Sequence, residues 1–386
     1  MACKVYHFHN GKGGGVLSVI RNLLAYRQDQ SMAHHVIYTI NTDCSDEFVL
    51  PNLPGAASET VFYYSADWNF YHTCRELAKC LPGGDAVLVA HDWLELGMCS
   101  LLGLPNPVVQ FLHGDYPYYY QLASRHAVTI DKFVCVAASI EQTMKNKLPE
   151  KSKDVLYCRF PVPDVPGIAQ IGPQLNLAFI GRCEAGKGYP LLPKIAECLQ
   201  EKGIEATWHI FGAITPDIKQ AVKWQDEKRV RFYGELPQDK MLEKLKNHQL
   251  LVLPSLAEGM PLSVIEAMKA GLVPLVNDIP GGLQELVVDG ETGYKIKDNE
   301  VAAYVDRIIA ISNNPEHWNM LSQKAQEQAN KLFDPVKNTG TFECLINELF
   351  LQAGNRRPKP AKKTYGSRLD EAYIPNFVTK YIRSLK

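Results

Sequence analysis

The chain has no long apolar run, no CxxC pair and almost no net charge, and each of these gaps removes a class of function. No stretch of the 386 residues approaches the roughly 18 to 20 apolar residues of a membrane-spanning helix. The opening MACKVYHFHNGKGGG also lacks the apolar segment of a secretory signal, so the expectation is a protein made and kept in the cytoplasm. A net charge of -1, from 41 basic and 42 acidic residues, lacks the broad positive field of a nucleic-acid binder. The 10 cysteines are scattered, which reads as buried thiols in a reducing compartment and not as a disulfide frame or a zinc site. There is no short-period repeat and no low-complexity tract.

What is present fits a folded α/β protein. Hydrophobic residues make up 46% and charged residues 22%, and the length suits two domains of common size. Short apolar runs alternate with amphipathic stretches, the pattern of βα units around parallel sheets. In the first half the runs are KVYHFH, HHVIYTI, AVLVAH, PVVQFLH and KFVCVAA; helical patterns cover 17–26, 71–79 and 139–147. After Phe160 the segment PVPDVPGIAQIGP can continue neither element and reads as a linker. A second series follows: NLAFIG, ATWHIFG, RVRFYGEL, LLVLPSL and VPLVND.

The expected domains are therefore 1–165, 166–354 and a basic tail with a closing helix, 355–386. Residues 369–386 read either as a solvated tail or as a helix that crosses back and completes the first domain, turning Ile374, Phe377, Val378 and Ile382 inward at helical spacing. Two such sheets facing across a cleft would bind ligands at the carboxyl ends of their strands.

The strongest local signal is PSLAEGMPLSVIEAMKAG, residues 254–271, which sets Glu258 and Glu266 in an E-x7-E run around a proline-started helix. Pro261 suits the first helical position and Gly271 the residue after the last. The free amides of Met260, Leu262 and Ser263, with the positive end of the helix dipole, make an anion site. Carboxylates repel phosphate, so Glu258 and Glu266 suit sugar hydroxyls instead; alone, the pair reads equally well as two surface charges. In FIGRCEAGKGYPLL, a strand ends at Gly181 and Arg182, and Lys187 precedes Gly188 and a helix. Arg182 and Lys187 could clamp a diphosphate from the side opposite the amides, or be exposed surface cations. In the first domain, Gly11, Gly13, Gly14 and Gly15 join the first strand to the first helix and let backbone approach a ligand. They form neither a Walker loop nor a dinucleotide fingerprint.

Together these stretches, with the later PGGLQELVVDGETGYKI, resemble the retaining family-four glycosyltransferases of the GT-B fold, the glycosyl transferases group 1. The resemblance covers nearly the whole chain. It implies transfer of a sugar from a nucleoside diphosphate sugar to an acceptor hydroxyl with retention at the anomeric carbon. What Glu266 resembles holds ribose hydroxyls, and what Glu258 resembles contacts the donor sugar beside the reacting carbon. Arg182 and Lys187 look like the groups that neutralise the leaving diphosphate. Gly181, Gly259, Met260, Pro261, Leu262 and Ser263, with Gly13, Gly14 and Gly15, complete the implied donor site. His113 looks like the histidine lining the donor-sugar pocket. His91 is similar to a second strand-end histidine, although Asp92 beside it offers a structural reason for its place. Tyr116, Tyr118, Tyr119 and Tyr120 either stack on an acceptor sugar or pack a loop.

The resemblance also implies an absence. Metal-dependent transferases of the other common fold use a D-x-D, and none occurs; Asp298–Asn299–Glu300 is the nearest approach. No metal and no cofactor is therefore expected. The implied partners are a nucleotide-sugar donor and a carbohydrate, lipid-linked or protein-linked acceptor, as in bacterial surface polysaccharide or lipopolysaccharide synthesis. Two basic stretches, 144–153 and 356–363, are candidates for peripheral contact with anionic headgroups on the inner face of the cytoplasmic membrane. Competing readings are a nucleotide-sugar epimerase or hydrolase, a sugar phosphorylase, a non-catalytic nucleotide-sugar-binding scaffold and, less well matched in its glycines, a Rossmann dehydrogenase.

Overall fold

A computed structural model describes residues 3–44, 48–81, 86–165, 167, 174–352 and 366–385. The basic run 356–363 and most of the proline-rich segment after Val165 lie outside them. The chain forms two compact units, one made of Met1–Val136, Ile140–Pro161 and Val336–Lys386, the other of Ala137–Ser139 and Val162–Pro335.

The first unit is built on seven parallel strands: β1 (Lys4–His9), β2 (Ala33–Asn41), β3 (Ser58–Tyr64), β4 (Ala86–Ala90), β5 (Val108–Leu112), β6 (Lys132–Cys135) and β7 (Val155–Tyr157). Their order is β3-β2-β1-β4-β5-β6-β7. The second unit has β8 (Leu175–Ile180), β9 (Ala206–Phe211), β10 (Val230–Gly234), β11 (Leu250–Leu253), β12 (Val273–Asn277) and β13 (Tyr294–Ile296), ordered β10-β9-β8-β11-β12-β13 and again parallel. Helices cover both faces of such sheets, so the central strands are apolar throughout. AVLVA of β4, LLVL of β11 and VPLVN of β12 are buried at every position. Strand order reverses between β1 and β4 in the first unit and between β8 and β11 in the second. Each reversal splays the following loops apart, which is where open α/β sheets bind ligands.

One expected boundary is corrected. The second unit ends at Pro335 and not at residue 354. The helix Pro335–Gln352 belongs mainly to the first unit because Phe342, Ile346 and Leu349 are buried there, Phe342 against the rings of His7 and Phe111. Its Glu343 carboxylate accepts a hydrogen bond from the Gln28 amide at 2.8 Å, and Asn338 donates to the Phe160 carbonyl at 3.2 Å.

The closing helix, Asn376–Ser384, also packs on the first unit, but through polar groups. The Asn69 amide donates to Asn376 Oδ1 at 2.8 Å, and Asn69 Nδ2 reaches the carbonyls of Leu369 and Ile374. Asp370 accepts from the Phe70 amide at 2.7 Å and from Arg383 at 2.8 Å. Thr379 is fully buried, whereas Phe377 is 73% exposed and Ile382 37%. The expected inward apolar stripe is thus wrong for these two residues: hydrogen bonding to Asn69 and Asp370 fixes the helix rotation and turns that stripe outward. Asp370→Ala is expected to cost about 3 kcal/mol, because it strands the Phe70 amide and leaves Arg383 without its carboxylate. An unchanged denaturation midpoint would show that this polar latch carries no stability.

Candidate active site

In the second unit, the loops after β8 and β11 flank the reversal point and bring most of the expected residues together. Strand β8 ends at Ile180; Gly181 and Arg182 open a turn that closes through the 3-10 segment Ala185–Lys187. Gly188 then takes the left-handed conformation, with φ 72°; a Cβ there would overlap the Pro254 carbonyl. That close approach locks the two loops together. The Leu256 amide adds a hydrogen bond to the Gly186 carbonyl at 3.0 Å.

This lock sets Lys187 against Glu258. The ammonium donates to both carboxylate oxygens, at 2.7 and 2.9 Å, and the Ser255 hydroxyl donates to Oε1 at 2.6 Å. Glu258 is only 6% exposed. A buried carboxylate is tolerated when it is paired and hydrogen-bonded in this way. The loop is braced from below by Asn277, whose side chain donates to the Ser255 carbonyl at 3.0 Å. It is braced from above by the PGG turn, where the Gly282 amide reaches the Gly259 carbonyl at 2.5 Å. At Gly281, φ is 105° and a Cβ would crowd the Glu258 carbonyl.

The helix that follows runs Leu262–Lys269, with Pro261 as its N-cap (φ -72°, ψ 108°) and not as the first helical residue. Its first amides, those of Leu262 and Ser263, precede any acceptor within the helix. Gly271 ends it with φ 85°, as expected. Glu266, 4% exposed, accepts from Gln238 Nε2 at 2.6 Å. Lys187 does not stand as a separate cation opposite the amides: it is bound to Glu258. The stem of Lys187 passes over Gly181. Arg182, with a side chain 66% exposed, pairs with Glu184 at 3.0 Å.

The first unit presents its own set of groups at the β1/β4 reversal. Gly13, Gly14 and Gly15 follow β1 and are exposed; Gly14 caps the helix Gly15–Ala25 with φ 137°. After β4, Asp92 caps the helix Trp93–Leu102 and accepts from Asn10 at 3.0 Å and from Tyr118. Glu95 completes the capping box, accepting from the amides of His91 and Asp92 at 2.8 and 2.6 Å. Burial, and then the neighbouring Asp92, raises its pKa to about 7.

Four histidines form a row across this sheet. His7 Nε2 lies 3.0 Å from His34 Nδ1, the His7 and His91 rings stack, and His91 Nδ1 lies 2.8 Å from His113 Nε2. His91 Nε2 is buried without a partner. The proton arrangement that strands fewest donors places the His91 proton on Nδ1, donating to His113. His113 then carries its own proton on Nδ1. Burial drives His113 down to about 3, with His9 adding to the shift, and His34 and His9 down to about 4; His7 and His91 lie well below their ordinary value.

Two contributors were missed in the sequence. Ser255 and Gln238 orient the two glutamates, and only the nearness of Ser255 to Glu258 offered a signal. Asp92 was read as a support for His91, yet it is the carboxylate that gathers Asn10, Tyr118 and a helix start. Of the tyrosines, Tyr120 is buried and bonded to Asp115, which fits loop packing, while Tyr118 is 45% exposed.

Residues 169–328 match the sequence family described as glycosyl transferases group 1. The glycogen synthase of Mycobacterium tuberculosis is 29% identical over 309 residues, which cover 71% of each chain. Among solved structures, the pneumococcal O-GlcNAc transferase GtfA in complex with UDP and GlcNAc superposes with a TM-score of 0.72 at 12% identity. The match covers 90% of this chain and 99% of that one. A TarM variant of S. aureus, in complex with fondaparinux, alpha-GlcNAc-glycerol and UDP, gives 0.61 at 19% identity, over 72% of this chain and 59% of that one. These likenesses bear out the expected GT-B fold of two Rossmann-like sheets.

Acidification should destabilise the first unit. The unfolded chain protonates His7, His9, His34, His91 and His113 near pH 6.5, whereas the folded chain holds them neutral to about pH 4 or below. Stability therefore falls as pH drops through that window, and Glu95, with its raised pKa, offsets only part of the loss. The melting temperature should be lower at pH 5 than at pH 7.5. An equal or higher value at pH 5 would mean the row is protonated in the fold.

Proposed function

With residues 169–328 belonging to the glycosyl transferases group 1, we propose that this chain moves a sugar from a nucleoside diphosphate sugar to an acceptor hydroxyl, with retention and without a metal. The observation that carries this reading is the Lys187–Glu258–Ser255 arrangement beside the first amides of the helix Leu262–Lys269. It joins a diphosphate-binding cation and helix mouth to a carboxylate suited to hydroxyls. The complexes of GtfA and TarM with UDP support a nucleotide donor.

In this mechanism the donor diphosphate meets the amides of Leu262 and Ser263 and draws Lys187 from Glu258 toward its own charge. Glu258 is then free to accept from donor-sugar hydroxyls, while Ser255 keeps it oriented. Arg182 exchanges Glu184 for a phosphate oxygen. Glu266, aimed by Gln238, accepts from the ribose. Negative charge develops on the diphosphate as the glycosidic bond breaks, and these fixed donors stabilise it there. Taken by itself, the first unit presents a neutral His113 whose Nδ1–H suits a hydroxyl acceptor. With Ser255 on Oε1 and donor-sugar hydroxyls replacing Lys187, Glu258 stays hydrogen-bonded, which lowers its nucleophilicity and favours same-face attack over a covalent intermediate.

Arg182→Ala, Lys187→Ala and Glu258→Ala should each lower turnover by at least about 100-fold, as for loss of a transition-state charge donor. Near-normal transfer by the first two variants, with a donor that wild type uses, would overturn the assignment. That donor can be found by thermal shift against a panel of nucleoside diphosphate sugars, since bound donor raises the melting temperature by mass action. Free sugar or an altered nucleotide sugar appearing without acceptor, at the rate of transfer, would point to a hydrolase or epimerase instead.

A further inference from the structure

We propose that the closing helix Asn376–Ser384 is a surface anchor that lays its outer face on a bilayer bearing anionic headgroups. Tyr373, Phe377, Tyr381 and Leu385 recur every fourth residue and are 81%, 73%, 66% and 69% exposed. Spacing of four keeps Phe377, Tyr381 and Leu385 in one stripe along the helix, with Tyr373 in the turn before it. Isolated exposed apolar side chains are ordinary, but a continuous aromatic and aliphatic stripe marks a contact surface. The stripe cannot turn inward, because Asn69, Asp370 and buried Thr379 hold the opposite face.

The charges around the stripe select the occupant. The helix carries Lys380 and Arg383 and no acidic residue, and Lys386 follows in the sequence. Arg383 is committed to Asp370, but Lys380 is exposed, its ammonium 6.0 Å from the centre of the Trp68 ring. Aromatic rings beside a lysine that extends its charge past them suit the interface between headgroups and acyl chains. A second copy fits less well, since a symmetric pairing of this helix would bring its cations together, and 9 residues cover far less than a stable dimer needs. The basic stretch 144–153 is a weaker anchor: Lys145 is paired with Glu141 at 2.9 Å, and Lys151 with Asp154 at 3.5 Å. With a net charge of -1, attraction to an anionic surface has to be local. The anchor stands independently of the reaction proposed above.

Cosedimentation of the full chain with phosphatidylcholine vesicles, with and without phosphatidylglycerol, tests the anchor. Binding is expected to the anionic vesicles and to weaken with added salt. Phe377→Ser with Tyr381→Ser should lower partitioning at least about tenfold, and Lys380→Glu about fivefold. These side chains are exposed, so an unchanged melting temperature of the variants confirms that folding is intact. Absence of binding to anionic vesicles, or equal binding by the double variant, overturns the proposal. So does a dimer in light scattering that the double variant abolishes, which would assign the stripe to a second copy.

Discussion

The buried Glu258 carboxylate is the constraint on which the second unit's site depends. Taken out of water without partners, such a charge would cost several kcal/mol. The fold supplies Lys187 from the loop after β8 and Ser255 from the loop after β11, and both must arrive together. Gly188 lets the two loops approach within contact of the Pro254 carbonyl, and Asn277 and Gly282 hold the far side. A pair bound this tightly is also a gate on its own chemistry, because neither group can serve a ligand until the other is compensated.

The sheets were legible in the sequence because parallel strands covered on both faces read as unbroken apolar runs. KVYHFH, AVLVAH, LLVLPSL and VPLVND all became strands at their expected places. Three strands escaped. SETVFYY of β3 lies at a sheet edge with most positions partly open, and β7 and β13 have only 3 residues each. Their pairing partners, and not their own pattern, make them strands. The closing helix shows the opposite failure. Its apolar spacing was read correctly as one face, but Asn69, 307 positions from Asn376, and Asp370, which takes the Phe70 amide, decide which face is buried.

The same division holds for the site. Glycines, the E-x7-E run and the strand-end cations are local features, so they could be found by inspection. That Lys187 grips Glu258, that Gln238 aims Glu266 and that four histidines line up on or just after four adjacent strands are products of topology. His91 and His113 were noticed as strand-end residues, but their hydrogen bond fixes a proton position that neither residue determines alone. Asp92 gains its standing from Asn10, in the loop after β1, and Tyr118, in the first turn of the helix Pro117–His126 that follows β5.

The two units also differ in how the ribosome delivers them. The second, apart from three residues, is one continuous stretch, Val162–Pro335, whereas the first is interrupted by it and resumes at Val336. During synthesis the first sheet can form early, yet Phe342, Glu343, Asp370 and Thr379 reach it only after the second unit has been made. Until then the apolar surface that Phe342 covers and the amides that Glu343 and Asp370 satisfy stay open. The second unit has all its parts, by contrast, as soon as Pro335 clears the exit tunnel. Premature termination beyond that point would thus yield a complete second unit carried by an unfinished first one.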